Sequence, residues 1–320
     1  MSSPAYAPRR QPRSLFVPLR GLQYHVQAWG DASLVTSQRP PLFMLHGWMD
    51  VGASFQFVVD AMAHADGFER YVLAPDWRGF GLTDNHAGVD SYWFADYLGD
   101  LDALVHALTE TPVDGVPVDV TPAMIDLVGH SMGGNVVMSY AGVRPARIRR
   151  LVNLEGFGMP RTEPRHAPKR LVQWLDELKA PQALKDYADL DAVAARLTKT
   201  NPRLAADKAA WLAPRWSRQA ANGRWQILGD PAHKRINPVL YRVEELLETW
   251  KLISAPLLWV EGDGNDLDKW WGGRYTKSEF HQRLDSVAQV DRQQLKDCGH
   301  MLHHDQPEAL ARLLAAHLGA

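Results

Sequence analysis

The sequence predicts an α/β fold, a mostly parallel sheet with a helical segment inserted before its last two strands. Three observations predict it. Short apolar runs alternate with helical periodicity between residues 42 and 154, the alternation stops over residues 156–251 where only helical patterns occur, and it resumes with two further apolar runs after residue 255. Alternation of this kind implies right-handed crossovers between parallel strands and puts reactive groups at the strands' carboxyl ends. A chain of 320 residues suits one large domain carrying an insertion.

Taken in order, residues 1–14, rich in Pro, Arg and Ser, read as a disordered tail. Leu15–Leu19 and Gln23–Trp29 read as an opening hairpin, and Leu42-Phe43-Met44-Leu45 as a central strand ending at His46-Gly47-Trp48-Met49-Asp50. Ser54–Ala65 is helical in pattern, and Tyr71–Pro75 is a strand opening into the glycine-punctuated loop Asp76-Trp77-Arg78-Gly79-Phe80-Gly81. Tyr92–Leu108 follows as a helix, and Thr111–Pro122 as an exposed connector broken by Pro and Gly. Met124–Val128 is a strand, Gly134–Ala141 its helix, and Leu151–Leu154 a strand with Glu155 at its carboxyl end. Residues 15–155 and 252–320 form the expected core, and residues 156–251 a cap with helices at 171–178, 191–197, 205–216 and 238–250 and no buried strand. The cap holds Trp174, Trp211, Trp216, Trp225 and Trp250, for each of which packing is the expected role. Ala255–Val260 and Val287–Leu295 complete the sheet, and Pro307 opens a last helix, where proline costs no hydrogen bond.

Bulk properties narrow the function. Lys plus Arg number 35 against 37 for Asp plus Glu, so no overall field steers nucleic acid or an anionic membrane, and the expected partner is a small-molecule substrate. Cys298 is the only cysteine, no run approaches 18 apolar residues, and no apolar core follows the N-terminal arginines. These features point to the cytoplasm. They are silent on oligomeric state.

The chemistry centres on Gly129-His130-Ser131-Met132-Gly133, a G-x-S-x-G pentad between a strand and a helix. Such a turn is tight enough to need small residues beside the serine, and it projects the hydroxyl from the sheet edge. A pentad alone occurs by chance in Gly-rich loops, but the flanking strand and helix favour a nucleophile. Serine needs a base, and the base needs an acid to orient it. His300, in the loop between the last strand and last helix, is positioned to return to Ser131. His303 and His304 read as ordinary polar positions on that loop's far side, and His130 as a packing residue. The oxyanion requires two amides, assigned to Met132 N–H and Trp48 N–H.

These stretches, with Ser54-Phe55 and Gly299-His300, occur in an order that resembles the α/β-hydrolase fold family. The resemblance runs from about residue 15 to the end and is closest to the serine-hydrolase-like and haloalkane-dehalogenase-like branches. Dehalogenases use an aspartate nucleophile, so Ser131 argues against that reaction. The acid departs from the common pattern. Most members carry an aspartate three residues past a glycine after the strand matching Leu257–Val260, and here that position is Asn265, with Asp263 and Asp266 out of register. The dehalogenase-like branch places a glutamate after the preceding strand, 24 residues past the nucleophile, and Glu155, 24 residues past Ser131, matches it. The resemblance therefore implies Glu155 first, with Asp263 and then Asp266 as alternatives.

No metal or organic cofactor is expected. His300, His303, His304 and Asp305 lie in a loop already given a catalytic reading, Gly262–Asp266 lacks the remainder of a calcium loop, and no dinucleotide fingerprint opens the first helix. The resemblance implies a carboxylesterase-like serine hydrolase for a small to medium, mostly apolar ester or acyl compound. Hydrolysis of C–C bonds or lactones, and perhydrolysis, use the same constellation. From another class, a slow or inactive ligand sensor or interaction protein on this fold is the alternative.

Overall fold

Leu42-Phe43-Met44-Leu45 sends Leu42 and Met44 into one apolar cluster and Phe43 and Leu45 into another, because successive side chains of a strand point to opposite faces. Leu257-Leu258-Trp259-Val260 divides in the same way. Runs that are apolar at every position are therefore strands covered on both faces, which is the parallel arrangement. The computed structural model describes residues 5–63, 69–84, 88–110 and 124–319. The expected connector at 111–122 lies outside them.

The strands are β1 (Arg13–Leu19), β2 (Leu22–Trp29), β3 (Leu42–Leu45), β4 (Val72–Pro75), β5 (Ile125–His130), β6 (Ile148–Leu154), the short β7 (Asp186–Tyr187), β8 (Ser217–Gln219) and β9 (Trp225–Ile227), then β10 (Leu257–Gly262) and β11 (Val290–Leu295). The helices are α1 (Gln56–Met62), α2 (Phe94–Glu110), α3 (Met132–Val143), α4 (Ala167–Lys179), α5 (Leu190–Thr200), α6 (Ala206–Trp216), α7 (Val243–Trp250), α8 (Leu267–Trp270), α9 (Lys277–Leu284), α10 (Leu302–Asp305) and α11 (Pro307–Leu318). Eight strands form one sheet in the order β1-β2-β4-β3-β5-β6-β10-β11. Only β2 runs antiparallel to its neighbours β1 and β4, and all other pairs are parallel. Helices α2, α3, α7 and α9 cover one face, and α1 and α11 cover the other. The predicted mostly parallel sheet, with a largely helical insertion ahead of its last two strands, is what the fold contains.

One expectation is corrected. Residues 5–12, expected to belong to a disordered tail, pack against the domain: Tyr6 meets the rings of Phe57 and Trp211 edge-on at 5.0 and 5.5 Å. Its hydroxyl and the amides of Arg9 and Arg10 all donate to Asp60. Buried apolar contact and three hydrogen bonds to one carboxylate offset the entropy of ordering this segment, which its composition alone does not reveal. Residues 1–4 lie outside the described residues.

The insertion, expected to hold no buried strand, contains a small antiparallel sheet in the order β7-β9-β8 whose residues are mostly half-buried or exposed. Its strands are two or three residues long, too short for alternation to show in the sequence.

The insertion is fixed to the core through its aromatic residues. Trp174 donates to Ser91 Oγ at 3.0 Å, Trp216 donates to Ser54 Oγ at 3.2 Å, and Trp250 is buried in the core. Gly81 N–H donates to the Leu228 carbonyl, Asp230 N–H donates to the Gly79 carbonyl, and His233 is stacked between Phe80 and Tyr92 at 3.9 and 3.7 Å.

At the amino ends of the central strands the Asp126 carboxylate holds Arg70 at 2.5 Å, both fully buried, and Arg149 at 2.5 Å. Removing one partner leaves a buried charge uncompensated. Asp126→Ala is expected to cost about 3–5 kcal/mol, read as a lower urea midpoint at unchanged slope.

Candidate active site

The pentad forms the predicted elbow. Ser131 sits between β5 and α3 with φ 53° and ψ −114°, a conformation rare for any residue with a β-carbon. Strain of this kind costs on the order of 1–3 kcal/mol and persists where the surroundings enforce it. Here they do so by close backbone approach: a β-carbon on Gly129 would stand 2.3 Å from the Gly133 carbonyl oxygen, and one on Gly133 would stand 2.1 Å from that of Leu45. Gly133→Ala is thus expected to push β3 from the elbow and lower the melting temperature, read in a thermal melt.

Glu155 ends β6 at φ 54°, also in the left-handed region, and its side chain is fully buried. Oε1 accepts from Gly262 N–H at 2.7 Å, and Oε2 accepts from the Asn265 amide and from His300 Nδ1, the latter at 2.7 Å. His300 is a quarter exposed and presents its other nitrogen, Nε2, away from this carboxylate. An Nδ1–H donated to a carboxylate fixes the tautomer with Nε2 free to accept a proton. Asn265 is therefore a donor that holds Glu155.

Asp263 and Asp266 are not brought to His300. Asp263 is exposed and accepts from Cys298 N–H at 3.1 Å, and Asp266 is exposed and accepts from Lys269 N–H at 3.0 Å, capping α8. Both alternatives to Glu155 are corrected by this placement. Loop and helix capping account for the two residues, and their side chains are spent there.

Around the elbow, Gly47 lies against Ser131, since a β-carbon on it would stand 3.1 Å from Ser131 Cβ. Met132 opens α3, where unpaired amides and the helix dipole favour negative charge. Trp48 lies on the adjoining loop with half its surface, 52%, exposed, and Trp270, singled out by no motif, covers the ring of His300 edge-on at 4.9 Å. A cavity of about 990 Å³ lies elsewhere, lined by His25, Asp76, Phe80, Arg215 and Arg218 beneath the loop following β4.

His303 and His304, expected at the loop's far side, are buried in α10 behind the elbow, and this expectation is corrected. The turn after His300 folds inward because Gly299 N–H and Asn201 Nδ2 donate to Asp305 at 2.8 and 2.7 Å. His130 does more than fill space: its Nε2 donates to the His300 carbonyl at 2.8 Å, tying the elbow to the histidine loop. His46 is likewise structural, accepting from Trp77 N–H at Nε2, 2.9 Å, and donating from Nδ1 to the Gly47 carbonyl, 2.7 Å. Its position after a central strand signals this only in part, because Trp77 comes from another loop.

Burial pushes His304 down to about 3, with neighbouring His303 acting in the same direction, and burial pushes His233 down to about 4. The unfolded chain takes up these protons near 6.5, so each contribution to stability is complete above that pH and shrinks as the pH falls toward the folded value. Stability is expected to decline between pH 6.5 and 4 by about 1.4 kcal/mol per pH unit for each such histidine. Urea midpoints across this range check it, with a flatter profile in His304→Leu.

Known proteins agree with this architecture. A serine hydrolase-like protein of Danio rerio is 27% identical over 155 residues, covering 48% of this chain and 41% of its own. Serine hydrolase-like protein 2 of Homo sapiens is 23% identical over 202 residues, 62% of this chain and 58% of its own. The chain thus spans about half the length of these curated relatives. A 2-hydroxymuconate semialdehyde hydrolase of Pseudomonas sp. (strain CF600) is 32% identical over 131 residues, 38% and 39% of the two chains. Among solved structures, the thioesterase domain from the curacin biosynthetic pathway superposes with a TM-score of 0.77 at 25% identity, covering 95% of this chain and 99% of that one. The sequence model of the alpha/beta hydrolase fold matches residues 40–307, and the chain therefore belongs to the α/β-hydrolase fold family.

Proposed function

We propose that this protein is a serine hydrolase that cleaves small to medium, mostly apolar esters or related acyl compounds through an acyl-enzyme. The observation that carries the reading is the buried Glu155 carboxylate 2.7 Å from His300 Nδ1, beside the strained turn that presents Ser131. Ser131 Oγ attacks the carbonyl carbon while His300 Nε2 takes its proton. Glu155 holds the imidazole in the required tautomer and stabilises the imidazolium. The amides of Met132 and Trp48 receive the developing oxyanion. His300 then returns the proton to the departing alcohol, water enters, and the same base drives deacylation.

The acid of this triad is Glu155, and Asp263 and Asp266 are positioned for other work. The insertion acts as the cap over the sheet edge. Substrate is a small molecule, and no cofactor takes part in any step of this scheme. One cysteine, Cys298, buried and unpaired, suits a reducing compartment such as the cytoplasm. Among the described residues no helix is long and apolar enough to cross a membrane.

Mixing the enzyme with p-nitrophenyl butyrate tests the reading. A burst of p-nitrophenol equal to the enzyme concentration supports an acyl-enzyme. Tight binding without turnover supports a sensor. The resemblance to a semialdehyde hydrolase favours a second substrate class for the same triad, C–C bonds next to a carbonyl. Turnover of a vinylogous diketone faster than of the ester would give that class priority.

A further inference from the structure

Behind the elbow, three buried side chains converge without completing one another's hydrogen bonds. Asp50, His130 and His303 are 3%, 2% and 0% exposed, and one ligand atom from each lies within 4.8 Å of the other two. The Asp50 carboxylate uses Oδ1 for Val51 N–H, 2.8 Å, and the Ser54 hydroxyl. Its Oδ2 has no hydrogen-bond partner and stands 3.8 Å from His303 Nε2. Among the described residues no lysine or arginine pairs with Asp50, and the groups facing its charge are the histidines His303, His304 and His46.

The His130 tautomer is decided by its partner. Nε2 faces a carbonyl, which can only accept, so Nε2 carries the proton and Nδ1 carries a lone pair. That Nδ1 is buried and has no donor. An imidazole whose far nitrogen is tied to a carbonyl is the form that binds metals. His303 has no hydrogen-bond partner at either ring nitrogen. Its ring is held by Phe55 at 4.9 Å and His130 at 4.6 Å.

We propose that Asp50 Oδ2, His130 Nδ1 and His303 form a binding site for one divalent transition metal of the zinc class, directly behind Ser131. Two imidazoles and one carboxylate are a donor set suited to Zn²⁺, and they leave a fourth position open. Bonds of about 2.0–2.2 Å place ligand atoms roughly 3.3–3.6 Å apart in a tetrahedron. Asp50 Oδ2 and His303 Nε2 start 3.8 Å apart and no pair of ligand atoms exceeds 4.8 Å, so binding draws the groups together by at most about 1.5 Å, within reach of the Asp50 and His303 side-chain torsions. This set differs from the His300, His303, His304 and Asp305 grouping that chain order suggests, since Asp50 and His130 arrive from other strands' ends. Because His130 also holds the His300 carbonyl, metal occupancy and the position of the catalytic loop are linked.

The test uses the full chain, freed of metal by chelation and loaded with Co²⁺ or Zn²⁺, both by incubation and by expression in supplemented medium. The expected result is one ion per chain by elemental analysis and visible cobalt bands of a low-symmetry, inner-sphere site. Affinity should fall by about 100-fold or more in Asp50→Asn and in His303→Gln, as expected when a ligand is lost. Ser131→Ala should bind metal as wild type does, which keeps this outcome separate from that of the hydrolase reading. Absence of cobalt bands and of a stoichiometric ion in the wild-type protein overturns the proposal whatever the variants do. So does binding that both variants, shown folded by circular dichroism, retain in full.

Discussion

Ser131→Ala is expected to lower kcat for p-nitrophenyl butyrate by a factor on the order of 10⁵ and to abolish the burst, while the melting temperature stays the same or rises. The magnitude follows from the loss of the attacking atom, which leaves only binding and oxyanion stabilisation to act on an external water. The stability clause follows from the backbone: φ 53° is enforced by the packing of Gly129 and Gly133, and removing the hydroxyl does not tighten that turn. Steady-state and stopped-flow assays with a thermal melt check both parts. A variant keeping a tenth of wild-type turnover would show that another group is the nucleophile.

Glu155→Gln is expected to lower kcat by about 10⁴ with little change in fold, whereas Asp263→Asn stays within about two-fold of wild type. The isosteric amide still accepts from Gly262 N–H through its oxygen, but it can set an NH₂ group against His300 Nδ1. The imidazole then favours the tautomer with the proton on Nε2, and the base is lost. Asparagine at 263 keeps an oxygen for Cys298 N–H, so the exposed loop is unchanged. Parallel kinetics on the two variants decide between the carboxylates. A large loss in Asp263→Asn with an active Glu155→Gln would return the acid to the loop after β10.

Much of this was legible from residue order. The sheet could be read because its central strands are apolar at every position, as in Leu42–Leu45 and Leu257–Val260, and such runs fit only strands covered on both faces. Ser131 and His300 could be placed because a pentad between strand and helix, and a histidine between last strand and last helix, mark the same edge of a parallel sheet. Composition did not reveal that residues 5–12 dock, since Tyr6 finds Phe57 and Trp211 only once α1 and α6 are assembled. Nor did it reveal the burial of His303 and His304, polar residues whose environment is set by Asp50, Phe55 and His130 from distant positions. Asn265 was visible as a departure from the common pattern. Its role as a donor to Glu155 became visible only when β6 and β10 stood side by side.

The most direct test of the account is a crystal structure of the enzyme after reaction with a fluorophosphonate. The expected result is phosphorus bonded to Ser131 Oγ, its oxygen facing the amides of Met132 and Trp48, and His300 lying between the adduct and Glu155. An adduct on any other residue, or His300 turned from both Ser131 and Glu155, would contradict it.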